Sequence, residues 1–322
     1  MSGSQWKPPA LPEEPHFQFY DESLLRTAGP GLLINFDASL EEFVLHTSNL
    51  SDSVTVVQMP VAAHVEIDQG GGQNVLVGPN LANLWQITET DLGSLNSTIH
   101  FENTANVVGG NSQDQFIFSE TGSLSSTDGS DGTDLFDYTS FLTNVAVDQG
   151  AGTASNVTST IASIETVHGG AGDDFFRGNS ENNELLGGAG NDILLGLGGD
   201  DTLSGDGGRD LIFRGSDSDI LQGGEDDDIV IHGRSIHAMN DAALMALLAE
   251  WIRTGLDSSY NVRVANLRNG GGLNGTTTLT AATVLADNAA DLLSDQEGFD
   301  WFWAGPSIED TLLDLEIGEE LN

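Results

Sequence analysis

Apolar residues recur every nine positions through the middle of the chain. From Gly169 to Ile231 the sequence divides without gaps into seven units of nine residues, and position 8 of each unit is apolar. These residues are Phe176, Leu185, Leu194, Leu203, Ile212, Leu221 and Val230. Glycines at positions 1, 2 and 4 permit positive φ, so six residues can turn tightly and the last three can extend. The pattern predicts a turn and a short strand in every unit.

Two such units make one coil of 18 residues, with its two strands in two facing sheets. The side chains at position 8 then all point into one thin core between the sheets. The sequence therefore predicts an all-β fold, a parallel β-roll or β-solenoid built from these repeats.

Position 6 of each unit carries a carboxylate or a carboxamide. The seven residues are Asp174, Asn183, Asp192, Asp201, Asp210, Asp219 and Asp228. Stacked coils bring residues 18 positions apart together, which predicts five pairs from Asp174–Asp192 to Asp210–Asp228. Paired carboxylates repel unless a cation lies between them, and roughly six to eight oxygen ligands suit Ca²⁺ better than Mg²⁺. We expect several calcium ions.

The charge balance agrees with bound cations. Fifty Asp and Glu residues stand against nine Lys and Arg residues, which gives a formal net charge of −41. Nucleic acid is an improbable partner for so acidic a chain. The chain has no cysteine, so neither disulfides nor cysteine-bound metals are available.

The repeat, for example GGAGNDILL at 187–195, resembles the RTX or hemolysin-type calcium-binding family. The resemblance implies a calcium β-roll in a bacterial protein exported by type I secretion and located outside the cell or on its surface. It also implies that the position-6 side chains and backbone carbonyls of positions 1 to 4 bind the ions. The glycines predicted to contribute carbonyls are Gly169, Gly170, Gly172, Gly187, Gly188, Gly190, Gly199 and Gly208.

Some units depart from the family pattern. Asn183 carries no charge, Arg209 places a cation next to Asp210, and Arg214 and Asp217 stand where glycines are expected. These departures weaken the metal prediction at the second, fifth and sixth turns.

Residues 26–168 are predicted to form degenerate rungs of the same solenoid, after an extended, proline-rich leader at 1–25. Three isolated stretches match the nine-residue unit, at 69–77, 109–117 and 129–137. Residues 134–174 resemble the extended unit that precedes such rolls in large bacterial surface proteins.

Residues 232–322 are predicted to hold one amphipathic helix and a repeat-like β cap. The run FDWFW and the tail after it resemble the C-terminal region of some large RTX-type surface proteins, which implies a type I secretion signal. Asn240 or Asp241 caps the helix, which is expected to run to about Thr254. The nine-residue frame returns afterwards, with acids at Asp291, Asp300 and Asp310, and the aromatic run 301–303 is expected to cap the last rung.

Outward residues of the odd-numbered units form an apolar strip that includes Ile193, Leu211 and Phe213. A contiguous apolar strip of this kind is rarely left exposed to solvent, so we expect the helix to pack on it.

Signatures of catalysis are missing from the sequence. It contains no H-E-x-x-H and no G-x-S-x-G, and Lys7 is its only lysine, which excludes a P-loop. We therefore expect no enzyme activity, and a chain that folds on binding calcium and serves in structure or display. The start lacks the basic and apolar regions of a cleaved signal peptide, and no stretch is apolar enough for a membrane span.

Two alternatives remain open. The chain could be the accessory and secretion domain of an exported protease, lipase or epimerase whose catalytic part is absent, or an adhesin fragment that contacts carbohydrate or a cell surface. Besides calcium, the expected partners of the chain are type I secretion machinery and a carbohydrate or cell-surface ligand.

Overall fold

A computed structural model describes residues 16–20, 32–35, 42–47, 49–59, 64–255, 258–285, 292–294, 298–303, 311–312 and 320–321. These residues are mostly β and include two helices.

The first strands, in chain order, are β1 (His16–Tyr20), β2 (Leu32–Asn35), β3 (Glu42–His46), β4 (Ser53–Gln58), β5 (His64–Asp68), β6 (Val75–Val77), β7 (Leu84–Glu89), β8 (Leu92–Leu95), β9 (Ile99–Glu102), β10 (Asn106–Val108), β11 (Gln115–Phe118), β12 (Leu124–Asp128), β13 (Leu135–Asp137), β14 (Ala146–Asp148), β15 (Thr153–Ala154), β16 (Val157–Ala162) and β17 (Thr166–His168). The remaining elements are β18 (Phe175–Arg177), β19 (Glu184–Ala189), β20 (Ile193–Leu197), β21 (Thr202–Gly207), β22 (Leu211–Gly215), β23 (Ile220–Glu225), β24 (Ile229–Ile231), β25 (Arg234–Ser235), α1 (Asp241–Trp251), α2 (Tyr260–Asn269), β26 (Val284–Leu285), β27 (Leu292–Ser294), β28 (Trp301–Trp303), β29 (Thr311–Leu312) and β30 (Glu320–Leu321).

The described strands form two large sheets of 14 strands each. In spatial order sheet A is β1-β3-β5-β9-β8-β7-β11-β13-β17-β19-β21-β23-β27-β29, and sheet B is β2-β4-β6-β10-β12-β16-β15-β14-β18-β20-β22-β24-β28-β30. From β17 to β24 successive strands alternate between the two sheets, as the nine-residue unit requires. Parallel pairing dominates, which is consistent with a β-roll. A separate pair joins β25 and β26.

The position-8 residues stack in two columns inside the molecule. Phe176, Leu194, Ile212 and Val230 are successive partners across sheet B. Leu185, Leu203 and Leu221 are partners across sheet A. All seven are 0% exposed and belong to one core between the sheets. The nine-residue register is therefore confirmed.

Before the seven units the pairing is not parallel throughout, a feature that the sequence pattern did not predict. β8 pairs antiparallel with β7 and β9, and β15 pairs antiparallel with β14 and β16. Asp91, Asn96 and Asn156 adopt positive φ between these strands. Asp and Asn tolerate this conformation better than most residues, so they allow short reversals inside a coil.

The segment after β24 contains two helices, whereas the sequence pattern predicted one. Asn240 caps α1, and its side chain accepts a hydrogen bond from the Ala243 N–H, but the helix ends at Trp251 rather than near Thr254. The sequence did not indicate α2, because its buried side includes Arg263 beside Val264 and Leu267.

The predicted cap is also wrong in part. β27 pairs with β23 and β28 pairs with β24, so both sheets resume where the helical segment interrupts them. Trp301 and Phe302 lie in two different apolar clusters, and β30 pairs beyond β28. The aromatic run is therefore an internal rung of sheet B. Asp291 and Asp310 lie outside the described residues. At the other end, β1 lies within the predicted leader and pairs with β3.

The outer apolar strip of sheet B is covered, as expected. Ile193 and Leu211 are 0% exposed and Phe213 is 2% exposed. They pack in a second apolar cluster with Leu247 and Trp251 of α1. Residues from α2 and the segment after it, Val264, Leu267, Leu279 and Val284, complete the cluster. No helix in the described ranges is long and apolar enough to cross a membrane.

Candidate metal centre

The position-6 residues form a hydrogen-bonded ladder at each side of the stack. The Asp192 backbone N–H donates to Oδ1 of Asp210 at 2.7 Å, and the Asp201 N–H donates to Oδ1 of Asp219 at 2.7 Å. The same bond joins the other three predicted pairs, Asp174–Asp192, Asn183–Asp201 and Asp210–Asp228. The stacking predicted from the 18-residue spacing is therefore observed for all five pairs.

The ladder continues on both sides of the seven units. Before them, the Asn83 N–H donates to Oδ1 of Asp114 at 2.8 Å, and the Asp114 N–H donates to Oδ1 of Asp134 at 2.6 Å. After them, the Asp228 N–H donates to Oδ1 of Asp300 at 2.5 Å. Asp114 and Asp134 belong to two of the isolated stretches that match the repeat. They accept the same hydrogen bond, although the bonded residues are not 18 positions apart.

The second carboxylate oxygen has a different environment. Oδ2 of Asp174 accepts a bond from the Gly170 N–H at 3.1 Å. Oδ2 of Asp192, Asp201 and Asp210 is buried and has no hydrogen-bond partner among the described residues. A buried carboxylate oxygen without a donor is costly, so these three positions call for a cation or a proton.

Burial raises the pKa of these acids. The pKa of Asp192 rises to about 9, because desolvation and the neighbouring Asp210 both oppose ionisation. Desolvation also raises the pKa of Asp201 and of Asp210 to about 7 and that of Asp174 to about 6. Without a cation, the row of acids therefore holds protons well above the ordinary Asp range.

Glycine at position 1 allows two oxygens to approach each other. A Cβ on Gly187 would collide with Oδ2 of Asp192 and with the Gly205 carbonyl, and a Cβ on Gly205 would collide with Oδ2 of Asp210 and the Gly223 carbonyl. These position-1 glycines do not adopt positive φ, so close approach explains them. The sequence prediction omitted Gly205 and Gly223.

The other predicted glycines divide into two groups. Gly188, Gly190, Gly199 and Gly208 adopt positive φ, as the turn predicts. The Gly170 carbonyl already accepts a bond from the Ala189 N–H at 2.8 Å, although a carbonyl has a second lone pair. A Cβ at Gly169 or Gly172 would collide with backbone of the adjoining coil.

Comparison with known families identifies this part of the chain. The model of the RTX calcium-binding nonapeptide repeat matches four times, at residues 162–194, 177–212, 186–221 and 204–234. These residues are RTX repeats. A search of the curated proteins found no protein similar to the chain.

The RTX repeats offer oxygen donors that fit a calcium ion. Within the described ranges, no three His, Asp or Glu side chains converge as a metal cluster, so side chains alone do not form a site. Backbone carbonyls have to complete the ligand set, as Ca²⁺ readily allows. The buried Oδ2 atoms and adjacent position-1 carbonyls supply both kinds of donor.

Departures from the repeat have visible consequences. Asn183 accepts a bond from the Asn179 N–H through Oδ1, at 2.9 Å, so the neutral amide keeps the turn without adding a charge. Arg209 is next to Asp210 in the sequence, but its side chain forms an ion pair with another acid. Its guanidinium lies 3.4 Å from Oδ2 of Asp227 instead.

A second ladder at position 5 of the RTX repeats was not predicted. The Asn191 N–H donates to Oδ1 of Asp173 at 2.8 Å, and the Arg209 N–H donates to Oδ1 of Asn191 at 3.1 Å. On the other side, the Asp200 N–H donates to Oδ1 of Asn182 at 2.9 Å. The recurrence of Asn and Asp at position 5 was the available sequence signal.

Proposed function

We propose that this chain is a calcium-binding module of a secreted or cell-surface bacterial protein, with a structural or display role. In this proposal the RTX units form a parallel β-roll that becomes ordered when extracellular calcium binds. One observation carries it: Asp192, Asp201 and Asp210 each bury a carboxylate oxygen that has no donor among the described residues.

The energetic argument follows from the arrangement of these acids. Moving a carboxylate out of water is unfavourable unless an opposite charge or hydrogen bonds replace the water. The chain has nine Lys and Arg residues for fifty Asp and Glu residues, so its own cations are few. A divalent cation bound between coils would replace the lost solvation and remove the repulsion between acids.

The residues expected to hold calcium are the position-6 side chains with the carbonyls around them. The strongest candidates are Asp192 with the Gly205 carbonyl and Asp210 with the Gly223 carbonyl, because their oxygens meet at a position-1 glycine. Asp201 adjoins the Arg214 carbonyl in the same way. Bound calcium would supply positive charge and coordination, while the chain itself provides the stacked turns.

Binding and folding are coupled in this proposal. A ligand that binds the folded state alone stabilises it in proportion to RT ln(1 + [L]/Kd). Extracellular calcium modules bind with Kd values of about 10⁻⁴ to 10⁻³ M. The roll would therefore stay loosely folded at low cytosolic calcium, a state suited to export by a type I system, and would fold outside the cell.

Isothermal titration calorimetry of the purified chain tests the proposal. After removal of metal, calcium should bind to several sites near 10⁻⁴ to 10⁻³ M. Magnesium is the control and should bind far more weakly, because it prefers rigid octahedral sites and keeps its waters. A chain that takes up no calcium, or binds both ions equally, would contradict the proposal.

The enzyme-accessory and adhesin functions remain alternative predictions. Both would use the same calcium step, and they differ in the attached domains. The gene sequence on either side of this segment would distinguish the two functions. Catalytic motifs there favour an exported enzyme, and tandem β-sandwich units favour an adhesin.

A further inference from the structure

Arg214 is a cation inside the row of acidic turns. It stands at position 1 of the sixth unit, where the other six units have glycine. Arg214 is 0% exposed. Because Arg is almost never fully buried unless it is paired, its partners inside the molecule are informative.

The guanidinium of Arg214 contacts oxygens of its own turn. Nη1 donates to the backbone carbonyl of Asp217, at position 4, at 2.5 Å. The same nitrogen lies 3.5 Å from Oδ2 of Asp219, at position 6, and both side chains are fully buried. A position-4 carbonyl and a position-6 carboxylate are the donor types expected to bind calcium in the other turns.

The comparison with neighbouring turns makes the role of Arg214 specific. Oδ2 of Asp192, Asp201 and Asp210 is buried and lacks a hydrogen-bond donor in the described part of the chain. In each of those turns position 1 is glycine, and its missing side chain leaves the carboxylate oxygen facing a carbonyl. At Asp219 the arginine side chain occupies the corresponding position and brings its own positive charge.

We propose that the Arg214 guanidinium is a built-in replacement for calcium at the Asp219 turn. This inference rests on the proposed calcium function of the other turns. One turn of the roll is neutralised within the chain and forms without an ion.

Calcium counting in two variants tests the replacement. Arg214→Gly restores the glycine of the repeat, and we expect it to bind one more calcium ion per chain than the wild type. Arg209→Asn is the matched control: it removes the same charge from the preceding turn and installs the residue found at position 5 two units earlier, Asn191. It should bind the wild-type number. Equal counts in wild type and Arg214→Gly at saturating calcium would overturn the proposal.

A stability measurement covers the case in which Arg214→Gly fails to fold. Arg214→Gln fills similar space without charge, so Asp219 would lose its cation while calcium remains excluded. At saturating calcium, where the roll is folded, we expect Arg214→Gln to unfold at clearly lower denaturant concentration than Arg209→Asn. Equal midpoints of these two variants would show that Arg214 does not neutralise the turn.

The two proposals fail in different ways. A wild-type chain that binds no calcium contradicts the proposed function, and the comparison of the two denaturation midpoints then decides the role of Arg214 alone. A wild type that binds calcium, together with an unchanged count in Arg214→Gly, contradicts only the replacement.

Discussion

The seven RTX units at 169–231 and the rungs at 64–168 use the same backbone device with different cores. In both, an N–H of one turn donates to an acidic side chain of the next, as in Asp192–Asp210 and Asp114–Asp134. In the RTX units these partners are 18 residues apart, whereas Asn83 and Asp114 are 31 apart. The ladder therefore tolerates coils of very different length.

The cores differ more than the turns. The rungs at 64–168 bury a chain of aromatic contacts, with Trp85 stacked on Phe116 at 6.0 Å and Phe118 stacked on Tyr138 at 5.4 Å between ring centroids. The RTX units bury mostly one aliphatic side chain per unit between the sheets. Large aromatic side chains bury more apolar surface, so they contribute more to stability. The comparison indicates that packing contributes more to the first region, although Asp134 there also buries an Oδ2 atom without a partner among the described residues. If the proposed function is right, bound ions contribute more to the second region.

The largest effect is expected from truncating the aromatic core. Phe136 is fully buried, and its ring lies 5.4 Å from that of Phe118 and 5.8 Å from that of Phe116. Phe136→Ala should lower the free energy of unfolding by about 3–5 kcal/mol. Because packing is responsible, chemical denaturation should give the same loss with calcium and with EDTA. Leu142→Ala, at a side chain that is 76% exposed, is the control. A loss seen only in calcium would contradict the division between regions.

Removing one charge from the RTX ladder should act on calcium instead. Asp192→Asn keeps the shape and the Oδ1 acceptor but removes the buried charge. We expect calcium to bind at least about tenfold less tightly to the site that Asp192 forms, a loss of about 1.4 kcal/mol of binding free energy measured by calorimetry. Asp226→Asn, at an exposed residue with φ 73° in the same set of turns, should leave affinity within about twofold. Equal effects of both variants would exclude Asp192 as a ligand.

The pH dependence of calcium binding concerns the same acids, and its sign is fixed. In the calcium-free fold the pKa of Asp192 is raised to about 9 and those of Asp201 and Asp210 to about 7. Stability from these protonated acids is present below the unfolded pKa near 4 and is lost as pH rises through 7 to 9. Calcium competes with the protons, so its affinity should increase with pH, by up to about tenfold per unit for each proton released. Affinity that stays constant between pH 6 and 8 would contradict this linkage.

The nine-residue period was sufficient to predict the register of the RTX units. A single repeated apolar position and a single repeated acid determine which strands and turns stack, and Leu194 and Asp192 lie where the period places them. The period could not predict the hydrogen-bonding environment of the second carboxylate oxygen, Oδ2. Whether Oδ2 has a donor depends on backbone carbonyls and glycines of the adjoining coil, which are distant in sequence.

The helical segment shows why other parts were missed. Arg263 looks like a solvent-exposed residue in the sequence, yet it is 2% exposed. Its guanidinium lies 4.4 Å from the Trp251 ring and donates to the Trp251 carbonyl at 2.8 Å and to Asp227. An arginine that is buried against tertiary partners interrupts the apolar stripe that normally indicates a helix. The sequence pattern therefore contained no signal for α2.

Hydrogen exchange with mass spectrometry, in calcium and in EDTA, tests the central claim most directly because it reports on both regions in one sample. We expect amides at 174–231 to be strongly protected in calcium and to lose most of that protection in EDTA. Amides at 84–137 should keep their protection in both conditions. Equal protection of 174–231 with and without calcium would show that the ladder is stable without ions, and the account would be wrong.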